Sequence, residues 1–202
     1  MKTISNKIIN RIYRKGRGWC FTSRNFYDLG SPEAIRINLY RLEKNGIIRR
    51  LRHGLYEYPK KHPSIGMLSP SPQKIAEAIK FRDAVNIQPS GAFAANMLGL
   101  SEQVPAKIVF LTNGPSRRLK IGNQEIVFKK TSNHNFAMKN KFSGLLIQAL
   151  RFIGKERINK QDIEHLKHTI DDRKKKALDK DKIYAPGWMY PILNSITGDR
   201  NA

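Results

Sequence analysis

The chain has 202 residues, enough for one large domain or two small ones. It is 40% hydrophobic and 27% charged, ordinary globular usage that excludes wholesale disorder and fibrous repeats. Its charge is unusual: 38 Lys and Arg against 16 Asp and Glu give +22, a balance that favours a polyanionic partner, most commonly nucleic acid.

Ile4, Ile8, Ile9 and Ile12 recur at helical spacing and predict an amphipathic helix over roughly residues 4–14, ended by Gly16 and Gly18. Polar Ser5, Asn6 and Lys7 interrupt those isoleucines, so no signal-peptide core is present. Cys20 is the single cysteine and makes neither an intramolecular disulfide nor a zinc site alone; a small core residue is its simplest role. Phe21-Thr22-Ser23 reads as a short strand leading into a small helix near Arg24–Leu29. Gly30-Ser31-Pro32-Glu33 then supplies a break, an N-cap, a first-turn proline and an early carboxylate, a strong helix start. Ile35, Leu39 and Leu42 continue it as a core stripe, and Asn45-Gly46 stops it. Beyond Gly46 the period becomes strand-like. Residues 47–51 and 55–58 flank Arg52-His53-Gly54, read as a three-residue hairpin loop. Three helices followed by a basic hairpin is the element order of a winged helix-turn-helix over residues 1–60.

Residues 61–72 hold Pro63, Pro70 and Pro72 among serine and glycine and are expected to be a linker. Residues 73–202 read as a mixed α+β domain, making the fold class α+β. Helices are expected over 71–82, 90–100, 142–153, 160–169, 171–181 and 188–196. A strand is expected at Lys107–Thr112, and a hairpin of residues 119–121 and 125–128 around Gly122-Asn123. No apolar run approaches the ~20 residues that span a bilayer. With no targeting segment and no disulfide framework, a cytoplasmic protein without membrane association is expected.

Residues 1–60 carry 14 Lys and Arg against 4 Asp and Glu, so the N-terminal unit is the more densely basic. With Ile35, Leu39 and Leu42 facing the core, the opposite helix face holds Glu33, Arg36, Ile37, Tyr40, Arg41 and Lys44. An exposed Ile and Tyr between arginines suits a major-groove helix, where Arg reads guanine edges and apolar groups touch thymine methyls. The hairpin adds Arg49, Arg50, Arg52 and His53 as a wing for phosphates or the minor groove. The plainer reading of both sets is solvated surface charge. Arg117, Arg118 and Lys120, with Lys129 and Lys130, are either a basic turn and its strands or a β-surface facing RNA, DNA or an acidic protein.

Catalytic constellations are weak, and no catalytic residue, metal ligand or cofactor is assigned. Gly16-Arg17-Gly18 lacks the third glycine of a dinucleotide loop, and no Walker loop occurs. Ser90 is not in a G-x-S-x-G elbow. Asp162, His165 and His168 fall at spacings that put them on one helix face, read as a polar helix surface, with metal ligation as the alternative. Asp171, Asp172, Asp179 and Asp181 are interleaved with lysines, the pattern of an exposed salt-laced helix. None of the eight glutamates begins a Glu-x-Lys.

Three stretches carry a family likeness. They are GRGWCFTSRNFYDLGSPEAIRINLYRLEKNGIIRRLRHGLYEYP with the following LSPSP, then QPSGAFAANMLGLSEQVPAKIVFLTNGPSRRLKIGNQEIVFKKT, and the late YAPGWMYPIL. Over roughly residues 5–196 the chain resembles the AbiEi-like antitoxins of bacterial toxin–antitoxin systems. The resemblance implies a winged-helix domain that represses its own operon at promoter inverted repeats. It also implies a C-terminal domain that counteracts a nucleotidyltransferase toxin, with or without direct contact. It places DNA contact at Arg36, Tyr40, Arg41, Arg49, Arg50 and Arg52. Antitoxicity is set at Arg117, Arg118 and Lys120 from charge alone. The alternative is a basic protein gripping structured RNA such as tRNA, without sequence-specific DNA binding. A third reading, an enzyme using Asp171 or His165, is weaker.

Overall fold

The computed structural model describes residues 3–198. They form two compact units, residues 3–85 with 121–123, and 86–120 with 124–198. Both mix helices and strands, so the fold is α+β.

In the first unit, α1 (Ile4–Lys15) starts at Thr3, whose hydroxyl accepts the Asn6 N–H at 3.3 Å. It ends at Gly16, whose φ of +82° is one a side chain resists. Ile8 and Ile12 are fully buried. Strand β1 (Cys20–Phe21) leads into a 3-10 helix, Ser23–Phe26, which is the small helix expected near Arg24–Leu29 but starts one residue earlier and ends three earlier. Asn25 Oδ1 accepts the Thr22 N–H at 2.9 Å and closes that turn. Arg11 holds it against α1, bonding both Asp28 carboxylate oxygens and the Asn25 carbonyl at 2.6 Å. Then α2 (Pro32–Lys44) begins where the Ser31 hydroxyl accepts the Ala34 N–H, and buries Ile35, Leu39 and Leu42 as its stripe requires.

Strands β2 (Arg49–Arg52) and β3 (Leu55–Glu57) pair antiparallel, and β1 takes the other edge of β3, giving the order β1-β3-β2. Arg52 pairs with Leu55, so the hairpin loop is the two residues His53-Gly54 and not the expected three, with Gly54 at φ +69°. Phe21, Phe26, Ile35 and Leu39 are fully buried in one core. Phe21 meets Trp19 and Tyr56 in stacked geometry, and Phe26 edge-on.

Residues 61–72 do not form a linker between units. Strands β4 (Lys61–His62) and β5 (Gly66–Met67) make a second hairpin, and α3 (Pro72–Asp83) packs against β1. Its stripe of Ile75, Ala76, Ala78 and Ile79 is buried. The unit boundary therefore falls after Val85 and not in the proline-rich stretch. Pro72 marks the first turn of a helix whose apolar face needs a neighbour.

In the second unit, β6 (Ile87–Ser90), β7 (Lys107–Thr112), β8 (Arg117–Ile121) and β9 (Gln124–Lys130) lie in the order β6-β7-β9-β8. β6 is antiparallel to β7, and β7 is parallel to β9. The edge strand β6 contains Pro89, which edges tolerate. Between β6 and β7 lies α4 (Gly91–Met97). Four helices follow: α5 (Lys141–Ile153), α6 (Lys160–Thr169), α7 (Asp172–Asp181) and α8 (Tyr190–Thr197). They enclose Leu146, Leu150, Leu166, Leu178, Met189 and Leu193.

Cys20 is buried, and its thiol is pushed up to about 12 by that burial and by the nearby Glu57 carboxylate. A thiol reagent at pH 8 is therefore expected to leave native Cys20 unmodified and to label it promptly in denaturant. Native labelling at the free-thiol rate, read by absorbance, contradicts this packing.

Candidate nucleic-acid interface

Burial of Ile35, Leu39 and Leu42 sets the rotation of α2 and turns Arg36, Ile37, Tyr40, Arg41 and Lys44 outward. Ile37 is 40% exposed and Tyr40 55% exposed, an apolar surface that no part of the described structure covers further. The hairpin leans beside this face. A groove of about 620 Å³ is lined by Arg36, Ile37 and Tyr40 of α2 and by Arg50 and His53 of the hairpin. Ser23 and Tyr27, in or just after the 3-10 helix, close a third side. Sequence patterning missed these two because a four-residue turn has no period to read. Their hydroxyls lie 3.3 Å apart.

Arg36 pairs with Glu33 in a fully solvated bridge, an interaction worth little and readily exchanged for a phosphate. His53 Nδ1 and Arg50 Nη2 are 2.8 Å apart. The Lys44 ammonium stands 5.6 Å from the Tyr40 ring centroid. Tyr56, on β3 opposite Arg50, borders the groove; burial raises its phenol above its ordinary value, so it stays protonated at neutral pH. Arg41, Lys44 and Arg52 are exposed but do not line the groove.

Arg49 is placed differently from its neighbours. Its Nε and Nη2 both donate to Glu57 Oε2, and Nη2 also donates to the Leu68 carbonyl at 2.9 Å. Glu57 is 1% exposed, so this guanidinium is committed to a buried carboxylate and is set apart from the expected wing contacts.

Strand alternation also divides the second basic cluster. On β8, Arg118 and Lys120 are exposed, whereas Arg117 is half-buried with its guanidinium 5.5 Å from the Phe128 ring centroid. Lys107, Arg117, Arg118 and Lys129 share a shallow surface, which Lys120 does not line.

Several carboxylates and one histidine of the last helices have structural partners. Asp171 accepts the Lys174 N–H at 2.8 Å, and Lys174 holds its carboxyl below the usual range. Asp181 is buried and accepts the Lys139 and Asn140 N–H groups before α5. His165 Nε2 lies 3.0 Å from the Leu98 carbonyl oxygen. Among the described residues no group of three His, Cys, Asp or Glu is placed to hold a metal, and no helix is long and apolar enough to cross a membrane.

A model of a family of unknown function, DUF6088, matches residues 7–178. A solved structure of the RV2827C protein from Mycobacterium tuberculosis aligns with a TM-score of 0.42 at 14% identity, covering 89% of this chain and 71% of that one. No curated protein matches the chain.

Arg49 and Arg50 are adjacent in sequence and opposite in role, which mutation separates. Arg49→Ala leaves the Glu57 carboxylate buried without its partner and is expected to destabilise the protein by about 3–5 kcal/mol in urea unfolding. Arg50→Ala is expected to shift stability by less than about 0.5 kcal/mol, as exposed substitutions do. Equal effects of the two variants contradict this division.

Proposed function

From the premise that the chain belongs to DUF6088, a family of unknown function, we propose that it is a sequence-specific binder of double-stranded DNA whose first unit is a winged helix-turn-helix. The observation that carries this is the convergence of Arg36, Ile37, Tyr40, Arg50 and His53 on one open groove. In this reading α1 and the 3-10 helix support α2, the recognition helix, and the β2–β3 hairpin is the wing. With 13 residues, α2 is about 20 Å long, and a major groove about 12 Å wide admits it. Arg36 and Arg41 are the guanine readers, and Ile37 and Tyr40 meet thymine methyls and sugar. Arg50, Arg52 and His53 reach phosphates or the minor groove beside them, and Lys44 adds charge at the helix end.

The AbiEi-like resemblance supplies the setting. The protein is proposed to be a cytoplasmic antitoxin that represses its own operon at inverted repeats and counteracts a nucleotidyltransferase toxin. The exposed Arg118 and Lys120, with Arg117 behind them, are the proposed antitoxicity surface of the second unit.

Binding to the gene's own upstream duplex is compared with a shuffled duplex of equal length by fluorescence anisotropy. A preference of at least about a hundredfold is expected, within the usual span for specific binders. Affinity is expected to fall by about 10³–10⁵ between 50 and 200 mM salt, as ~6–10 phosphate contacts require. Arg36→Ala with Arg41→Ala is expected to abolish the preference while circular dichroism stays unchanged. Equal affinity for both duplexes overturns the proposal, and tighter binding to a structured RNA than to either moves the function to RNA.

A further inference from the structure

A second groove, of about 480 Å³, opens on the first unit beside Glu57 and Lys60, past the end of β3 remote from the His53-Gly54 turn. It shares no lining residue with the first groove. Lys15 at the end of α1, Arg17 just beyond it, Lys60 after β3 and Lys74 on α3 all line it, together with Trp19, Ser69 and Ser71. Two carboxylates are also present, and each has its own cation. Glu57 is held by Arg49, and Glu77 by Lys74 at 3.1 Å. Lys15, Arg17 and Lys60 have no carboxylate at ion-pair distance among the described residues.

Two of these three cations are held in place by neighbours. The Arg17 guanidinium donates to the Pro59 carbonyl at 3.0 Å and stands 4.8 Å from the Tyr58 ring centroid. The Lys15 ammonium is 6.0 Å from the centroid of Trp19. Lys60 runs its stem alongside Gly18, its methylenes 3.5 Å from where a β-carbon would stand. Uncompensated like charges around one concave space repel one another, and a multiply charged anion reverses the sign of that energy. A guanidinium fork with two ammonium groups and a hydroxyl suits the several oxygens of phosphoryl groups better than a single carboxylate.

We propose that this groove is a binding site for a phosphoryl ligand carrying two or more negative charges. The phosphoryl groups are those of a free diphosphate compound or of a nucleic-acid backbone, and two measurements distinguish the sources. In the first, thermal unfolding of the full chain is followed with millimolar pyrophosphate against sodium chloride of matched ionic strength. For a free ligand, pyrophosphate is expected to raise Tm by about 3 °C or more above the chloride control, the size that binding linkage gives at ligand well above Kd. Arg17→Gln with Lys60→Gln is expected to lose that rise, Lys15→Gln with Lys60→Gln serves as the second pair, and Arg36→Gln with Arg41→Gln is expected to keep it. In the second, the same groove variants are titrated with duplex DNA at several salt concentrations. For a backbone source, affinity falls about tenfold equally on upstream and shuffled duplexes and the salt slope drops by about 2. Either pattern supports the site. It is overturned if pyrophosphate matches chloride, or stabilises the groove variants as it does the wild type, and the DNA titrations are also unchanged. Sequence preference of the wild type is read separately, so failure here leaves the DNA proposal standing.

Discussion

The rotation of α2 is the constraint on which the candidate interface depends. A helix whose core stripe is Ile35, Leu39 and Leu42 has one orientation that buries all three, and that orientation leaves Arg36, Ile37, Tyr40, Arg41 and Lys44 on the outside. The packing energy of the stripe, roughly 1.5–3 kcal/mol for each fully buried side chain, thus also positions the exposed groups. No contact made by the outward residues is needed to hold them there. They are free to differ from the composition a solvated face would have, and an exposed Ile and Tyr are that difference.

The hairpin is tied to the same core by a different device. Glu57 sits at the centre of the three-stranded sheet, paired across to Cys20 on one side and Arg49 on the other, and its charge is met by the Arg49 side chain. In a pleated pair a one-residue slip turns every side chain to the opposite face. A slip here exchanges Arg49 for Arg50 and strands a buried carboxylate without a cation, a costly arrangement. The ion pair therefore acts on register, and through register it fixes which arginines of Arg49-Arg50-Leu51-Arg52 point into solvent. Arg11, bonded to Asp28 and the Asn25 carbonyl, holds the 3-10 turn in the same way, so the third side of the groove also rests on a charged pair.

This explains what was and was not legible in the sequence. Elements with a period are clear. The stripe and caps of α2, the stripe of α3 and the ends of α6 and α7 are fixed by residues a few positions apart. The chemistry of Arg49 is not clear, because its partner is set by cross-strand geometry eight residues away and nothing local marks one arginine of four as inward. The first unit's boundary is not legible for a related reason. Prolines and serines read as punctuation between domains, whereas residues 61–72 fold as a small hairpin and the first residue of α3, whose apolar face packs against β1. Strand β6 is not legible because a proline argues against a central strand, and only its single pairing edge, a tertiary fact, makes Pro89 compatible with it. Ser23 and Tyr27 belong to the groove through tertiary packing alone.

The distribution of charge then follows from what the fold does with each cation. Of the basic residues in the first unit, Arg11 and Arg49 are used internally, bound to Asp28 and Glu57. Two concave places at different ends of the hairpin hold others, Arg36 and Arg50 around one groove and Lys15, Arg17 and Lys60 around the other, while Arg41, Lys44 and Arg52 are exposed and line neither. A net charge of +22 destabilises a compact chain by self-repulsion, most strongly where like charges share a low-dielectric concavity. Dispersing them over convex surface is the arrangement that minimises that repulsion, and the groove of Lys15, Arg17 and Lys60 departs from it, whereas Glu33 and Glu43 offset Arg36 and Arg50 in the other. In the proposed phosphoryl site, an anionic ligand would relieve the repulsion that Lys15, Arg17 and Lys60 carry in the free protein, which is what sets that groove apart from solvated charge.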